Sequence, residues 1–218
     1  MAEADAAVAE VLPEHFESLE RQAKTARFGM WVFVASETLL FGGLFALYAS
    51  YRRALPDAFH AGVRHNNELW GTLNTLILIL SSFLVAAAVE EFRRSQVKRA
   101  PWFLLGAVLL GLGFLGVKAH EYSVHIHEGI LPGGHGAHFQ SAETLRQAPF
   151  FSLYYLMTGL HALHVLVGLG VLSWLIWRIR RRRLSSHALE VGGIYWHLVD
   201  AIWIFLWPLF YLMHGVIR

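Results

Sequence analysis

Seven ionisable side chains stand inside or at the ends of long apolar stretches of this chain: Glu37, Lys118, Glu121, His161, His164, His197 and Asp200. An ionisable group at mid-membrane depth costs about 2.5–3.5 kcal/mol on insertion scales, so each is a candidate functional group. Glu37 is the sharpest case. It lies nine residues into the first apolar stretch and, at about 1.5 Å per residue, near the middle of a bilayer. Its helix neighbours three, four and seven positions away are Met30, Phe33, Val34, Leu40, Phe41 and Leu44, and none can pair with it. Glu37 therefore either carries a proton or pairs with a group on another helix. The chemistry open to it is proton holding or interhelical hydrogen bonding.

His161 and His164 are one helical turn apart, a spacing that in principle suits one metal ion. A membrane b-type haem would instead need a histidine from a facing helix at the same depth. His197 lies about 9 Å from the inner end of its stretch and His164 about 20 Å from that end, a mismatch that argues against shared ligation. His161 and His164 are expected to be hydrogen-bonded packing histidines. His197 and Asp200 are three residues apart, as are Lys118 and Glu121, and residues at that spacing on a helix can pair directly. The expectation is an intramembrane polar network of internally neutralised groups, with no catalytic residue and no metal ligand set. An outer loop from His120 to His138 carries His120, His125, His127, His135 and His138, enough imidazole for a zinc or copper ion. It also carries Gly133, Gly134 and Gly136 and no carboxylate–histidine spacing that fixes a site. The absence of cysteine excludes disulfides, thiolate zinc sites, iron–sulfur clusters and cysteine nucleophiles. A serine hydrolase is disfavoured because no Gly-x-Ser-x-Gly turn is present.

The elements that hold these residues follow from composition. The 218 residues are 56% hydrophobic and 16% charged, against about 25% charged in soluble proteins. A span needs about 20 mostly apolar residues, and five stretches qualify: 28–51, 70–90, 102–121, 150–177 and 191–216. In lipid each must satisfy its own backbone, which makes each a helix. The expected fold is an all-α integral membrane protein, a bundle of five transmembrane helices. Residues 1–26 read as an acidic tail with a short surface helix near Phe16, and 27–218 as the membrane domain. No basic, apolar leader precedes the first span, so that span serves as an uncleaved insertion signal. Twelve Lys and Arg fall in the tail and the second–third and fourth–fifth loops, against five on the opposite side. That bias puts the N-terminus in the cytoplasm and the C-terminus in the periplasm. Gly29, Ser36 and Gly43, and Gly106 and Gly113, recur at seven-residue spacing and are candidate faces for close helix approach. Pro208 removes one backbone hydrogen bond from the last span and is expected to bend it.

Four segments, supported by a weaker fifth, resemble one family. Arg27-Phe28-Gly29-Met30 followed by Ser36-Glu37 looks like the Arg-Tyr/Phe-Gly-Met…Ser-Glu helix of cytochrome oxidase subunit III. Leu73-Asn74-Thr75 opens the next helix as in that family, and Lys118-Ala119-His120-Glu121-Tyr122 is similar to its Glu-Tyr helix end. Thr158-Gly159-Leu160-His161-Ala162-Leu163-His164-Val165 is close to Thr-Gly-Phe-His-Gly-Leu-His-Val. Tyr195-Trp196-His197-Leu198-Val199-Asp200-Ala201-Ile202-Trp203 is close to Tyr-Trp-His-Phe-Val-Asp-Val-Val-Trp. The likeness runs from about 27 to 215.

The resemblance implies a noncatalytic subunit of a haem–copper terminal oxidase in the cell inner membrane. It places haem and copper in partner subunits and makes subunit I a direct neighbour, with subunit II and phospholipids as further partners and no nucleic acid. It maps the family's carbodiimide-reactive carboxylate onto Glu37, and implies support of proton uptake, lipid binding and turnover stability. The donor would be cytochrome c or quinol. The family's long form has seven helices and this chain resembles the last five, as in quinol oxidases, so the two-helix arm of the lipid cleft would be missing or supplied by another chain. An accessory subunit of nitric oxide reductase is the nearest alternative. A small proton channel or transporter built on Glu37 is a different class, disfavoured by the lack of repeats and broken helices.

Overall fold

A computed structural model describes residues 19–181, 184 and 186–213. The described residues form α1 (Leu19–Ala54), α2 (Pro56–Val63), α3 (Glu68–Arg93), α4 (Ala100–His127), α5 (Ala142–Leu145), α6 (Ala148–Arg180) and α7 (Ser186–Trp207). Five of these are long and apolar enough to cross a membrane. The expected surface helix near Phe16 lies outside the described residues. The junction placed at 26–27 falls inside the continuous helix α1. α3 packs on α4 and α7, α6 packs on α4 and α7, and α1 leans on α6 and α7 from the edge.

The first four long helices overrun both ends of the apolar stretches that predict them, and α7 overruns the start of its own. Hydropathy stops at the first charged residue, whereas the backbone ladder continues into interfacial turns rich in Arg and His, which favour helix C-termini. Starts are set by local chemistry. Asn67 Oδ1 caps α3 by accepting from Leu69 N at 2.9 Å, and proline occupies the first turn of α2, α4 and α6. The overrun of α4 corrects the reading of residues 120–138 as a loop: His120, His125 and His127 ride on α4. The chain reverses only beyond Gly129, whose φ of 73° is in the left-handed region.

The bundle is built around tryptophan. Trp196 and Trp203 of α7 are wholly buried, and each indole N–H is satisfied on α3, by Ser81 Oγ at 3.1 Å and Thr75 Oγ1 at 3.1 Å. Glycines give Trp196 its space. A Cβ on Gly168 would sit 2.7 Å from the Trp196 ring, and one on Gly111 would sit 2.9 Å from it. Gly168→Ala is therefore expected to lower stability by about 1–3 kcal/mol, measured by thermal denaturation in detergent. The small-residue repeats named from sequence do not mark these approaches. A Cβ on Gly29, Gly43 or Gly113 would meet no other part of the described residues within 4 Å, whereas one on Gly106 would meet Leu84. The heptad spacing picked a face of α1 that points out of the bundle.

Large apolar side chains cover the outside: Phe28, Leu39, Phe83, Trp102 and Phe205 are all more than 60% exposed. A soluble chain does not present such a surface, and lipid is the solvent that it suits. At one end of the bundle Glu190 of α7 accepts from Arg93 of α3 at 2.8 Å and from Arg27 of α1 at 3.4 Å, tying three helices together. At the other end Pro208 does more than bend α7: residues Pro208–Leu212 form a π-turn. Two carbonyls of this turn accept side-chain donors, Leu209 O from Tyr48 Oη at 2.6 Å and Phe210 O from Asn66 Nδ2 at 2.9 Å.

Candidate functional site

Glu37 has its partner on another helix. Its Oε2 lies 3.0 Å from His164 Nε2, joining α1 to α6. His164 Nδ1 is 2.8 Å from Leu160 O, and a carbonyl only accepts, so Nδ1 carries its hydrogen. That fixes the tautomer. The contact between Nε2 and Oε2 then holds one proton, which resides on the imidazole or on the carboxyl, and either arrangement leaves the pair neutral. Neutrality is what an apolar setting requires of two ionisable groups. The pair is seated by Phe41, edge-on to the His164 ring at 5.6 Å, and by Tyr195, whose hydroxyl donates to His164 O at 3.0 Å. The Glu37 and His164 side chains are 14% and 15% exposed, so the pair borders the outer surface of the bundle.

A second polar centre lies nearer the π-turn. Lys118 Nζ is 3.3 Å from Glu121 Oε2, the pairing expected from their spacing. Two tyrosines that the sequence reading did not name complete it. Lys118 Nζ donates to Tyr154 Oη at 2.7 Å and to Tyr211 Oη at 3.0 Å. Tyr154 Oη donates to Glu121 Oε1 at 2.6 Å, and Tyr211 Oη stands 2.6 and 2.9 Å from the two Glu121 oxygens. The ammonium also lies over the rings of Tyr154 and Tyr122, at 4.6 and 5.0 Å. A signal for the tyrosines was present. A buried lysine–glutamate pair leaves carboxylate lone pairs that need donors, and a buried phenol needs an acceptor.

The matching expectation for His197 and Asp200 fails. His197 Nδ1 is 2.6 Å from Ser82 Oγ on α3, while neither Asp200 oxygen has a hydrogen-bond partner among the described residues. Residues three apart on a helix diverge by about 60° around the axis. Here His197 reaches Ser82 of α3, while Asp200 is 4% exposed. His161 is also not the hydrogen-bonded residue expected. It is wholly buried between Phe114 and Trp203, at ring distances of 5.5 and 5.1 Å, and neither of its nitrogens has a hydrogen-bond partner among the described residues. The seven candidates thus divide into two centres, Glu37–His164 and Lys118–Glu121, a separate His197–Ser82 contact, and two buried groups, His161 and Asp200. Acid, base and imidazole are present, but the arrangement presents no activated nucleophile. What it can do chemically is hold and share protons within neutral clusters.

With this geometry in place, likeness to known proteins is informative. The sequence profile of the family described as cytochrome c oxidase subunit III matches residues 15–215. Cytochrome c oxidase subunit 3 of Thermostichus vulcanus is 35% identical, over 85% of this chain and 86% of that protein. Quinol oxidase subunit 3 of Bacillus subtilis (strain 168) is 29% identical, over 89% of this chain and 92% of that protein. A protein of Aeropyrum pernix named heme-copper oxidase subunit I+III is 31% identical over 94% of this chain, which spans 25% of that protein. The family profile spans nearly the whole chain and all five apolar helices, and this multi-pass membrane protein belongs to the cytochrome c oxidase subunit III family.

Proposed function

We propose that this chain is the noncatalytic third subunit of a proton-translocating haem–copper terminal oxidase, held directly against subunit I, with subunit II in the same complex. Haem and copper belong to those partners. The N-terminus faces the cytoplasm, the C-terminus faces the periplasm, and the membrane is the inner one. The observation that carries the reading is the relative named subunit I+III, in which a segment matching this chain occupies a quarter of one polypeptide. Such a name supports adjacency to subunit I. The other relatives are named for two different oxidases, one for quinol and one for cytochrome c. A subunit shared by both types is not the part that selects the donor.

The contribution of the subunit is to bind phospholipid, to support proton uptake and to prolong the working life of the catalytic subunit. The neutral Glu37–His164 pair at the bundle edge supports this role, since a group that shares one proton without net charge can stand at a lipid or subunit boundary. In the test, the tagged chain is extracted in mild detergent and its partners are identified. A large haem-bearing oxidase subunit is the expected partner. Oxidase made without this chain should start at a near-normal rate and lose activity progressively during turnover. Recovery of the chain alone would overturn the proposal, and recovery with a nitric oxide reductase subunit would move it to that enzyme.

A further inference from the structure

The histidines of the 120–138 region have a neighbour that the sequence reading did not bring to them. His65, just beyond α2, meets His138 with ring centroids 5.1 Å apart and planes at 83°. Both rings lie against Phe151, at 5.7 and 6.2 Å, and His125 packs against the same phenylalanine at 5.9 Å. Three imidazoles from three separate parts of the chain thus surround one aromatic ring at one end of the bundle.

Two features suit the His65–His138 pair to a metal. The first is a fixed tautomer. His65 Nδ1 is 3.0 Å from Ala61 O, so it carries the hydrogen and leaves Nε2 as a lone-pair donor. Histidines that bind metals are commonly oriented in this way, through the other ring nitrogen on a carbonyl. The second is unused coordination capacity. His138 Nε2 is a buried ring nitrogen without a hydrogen-bond partner among the described residues. Buried polar atoms in native proteins nearly always have a partner, so such orphans need an explanation. The distance fits as well. Two imidazoles bound at about 2.0–2.1 Å with a tetrahedral angle at the metal have ring centroids roughly 5 Å apart.

We infer that His65 and His138 form a two-histidine site for a divalent first-row transition ion of the zinc or copper type, with His125 behind it. Imidazole is the ligand that these ions favour. Among the described residues no three His, Asp or Glu side chains are grouped to hold a metal ion, so water completes the coordination. The site is therefore exchangeable rather than structural. His65 is exposed, which gives the ion a path from solution.

The test is equilibrium dialysis of the full-length protein, in its native complex, against zinc. His65→Gln and His138→Gln should each weaken binding by at least about tenfold, since even an outer-shell change costs about 10–100-fold. His127→Gln, at an exposed histidine on the same helix as His125, should leave affinity unchanged. A second measurement needs no variant. Zinc should protect His65 and His138, but not His127, from acylation by diethylpyrocarbonate, read residue by residue by mass spectrometry. Equal affinity in wild type, His65→Gln and His138→Gln, or equal acylation with and without zinc, would overturn the site.

Discussion

Glu121→Leu is expected to be among the most damaging single substitutions in the bundle, lowering stability by about 3–5 kcal/mol, the usual cost of breaking a buried ion pair by deleting one partner. The variant leaves Lys118, 3% exposed, with no counter-charge. It also removes the acceptor of both phenols, Tyr154 and Tyr211. Lys118→Met should cost less, because Glu121 keeps two O–H donors at 2.6 Å. The double variant Lys118→Met/Glu121→Leu should fall between the two. It has no stranded charge, but it still leaves the two hydroxyls without their acceptor, at about 1–3 kcal/mol for each group left unsatisfied. Thermal denaturation in detergent, followed by tryptophan fluorescence, measures all three. A Lys118→Met variant as unstable as Glu121→Leu would show that the lysine, and not the carboxylate, organises the centre.

The centre also explains why α7 ends as it does. Tyr211 belongs to the π-turn that starts at Pro208, and its hydroxyl is bound to α4 through Glu121. Gly71 of α3 makes room for the same ring, since a Cβ there would lie 2.6 Å from it. Tyr48 and Asn66 bind two carbonyls of the turn, and Glu121 binds its tyrosine, so the turn is held from three sides. α1, α4 and the α2–α3 connection are thereby joined to the π-turn that follows α7.

Much of this was legible in the sequence because the membrane simplifies the problem. Long apolar stretches can only be helices, so the five spans could be read directly, and their ends were short by the interfacial turns that hydropathy does not count. Local pairing was half legible. Lys118–Glu121 and His197–Asp200 have the same spacing, and spacing says only that two groups can reach each other. Lys118 and Glu121 do meet, with two tyrosines of other elements between them, whereas His197 turns to Ser82 on a facing helix, 115 residues away. Partners between helices were not legible. The sequence showed that Glu37 needed one and that His164 was available, but joining them depends on the rotation of α1 against α6, and hydrophobic periodicity is a weak guide where lipid and protein interior are equally apolar. The small-residue stripe on α1 misled for the same reason. The His65–His138 contact was hidden because it depends on the path of two connections.

That dependence gives the second large effect, at His164. His164→Leu should raise the rate at which a hydrophobic carbodiimide labels Glu37 several-fold. In the wild type the single proton of the pair can rest on Nε2, because Nδ1 is committed to Leu160 O. Without the imidazole, a charged carboxylate would stand in apolar surroundings with no counter-ion, and binding a proton avoids that cost. Carbodiimides react with the protonated acid, so labelling reports the transfer. Stability should fall by about 1–3 kcal/mol, as for a buried polar group left without its partner. Glu37→Gln should behave differently. Its amide can still hydrogen-bond Nε2, so stability should change by less than about 1 kcal/mol, while labelling at this position disappears. Peptide mapping after carbodiimide treatment, alongside thermal denaturation, separates these outcomes. Unchanged labelling of Glu37 in His164→Leu would mean that the proton already resides on the carboxyl and that His164 serves only to accept its hydrogen bond. A rise in labelling would make His164 the group that sets how available the Glu37 proton is. On the proposed role, the same variant would then also shorten the working life of the assembled oxidase without lowering its initial rate.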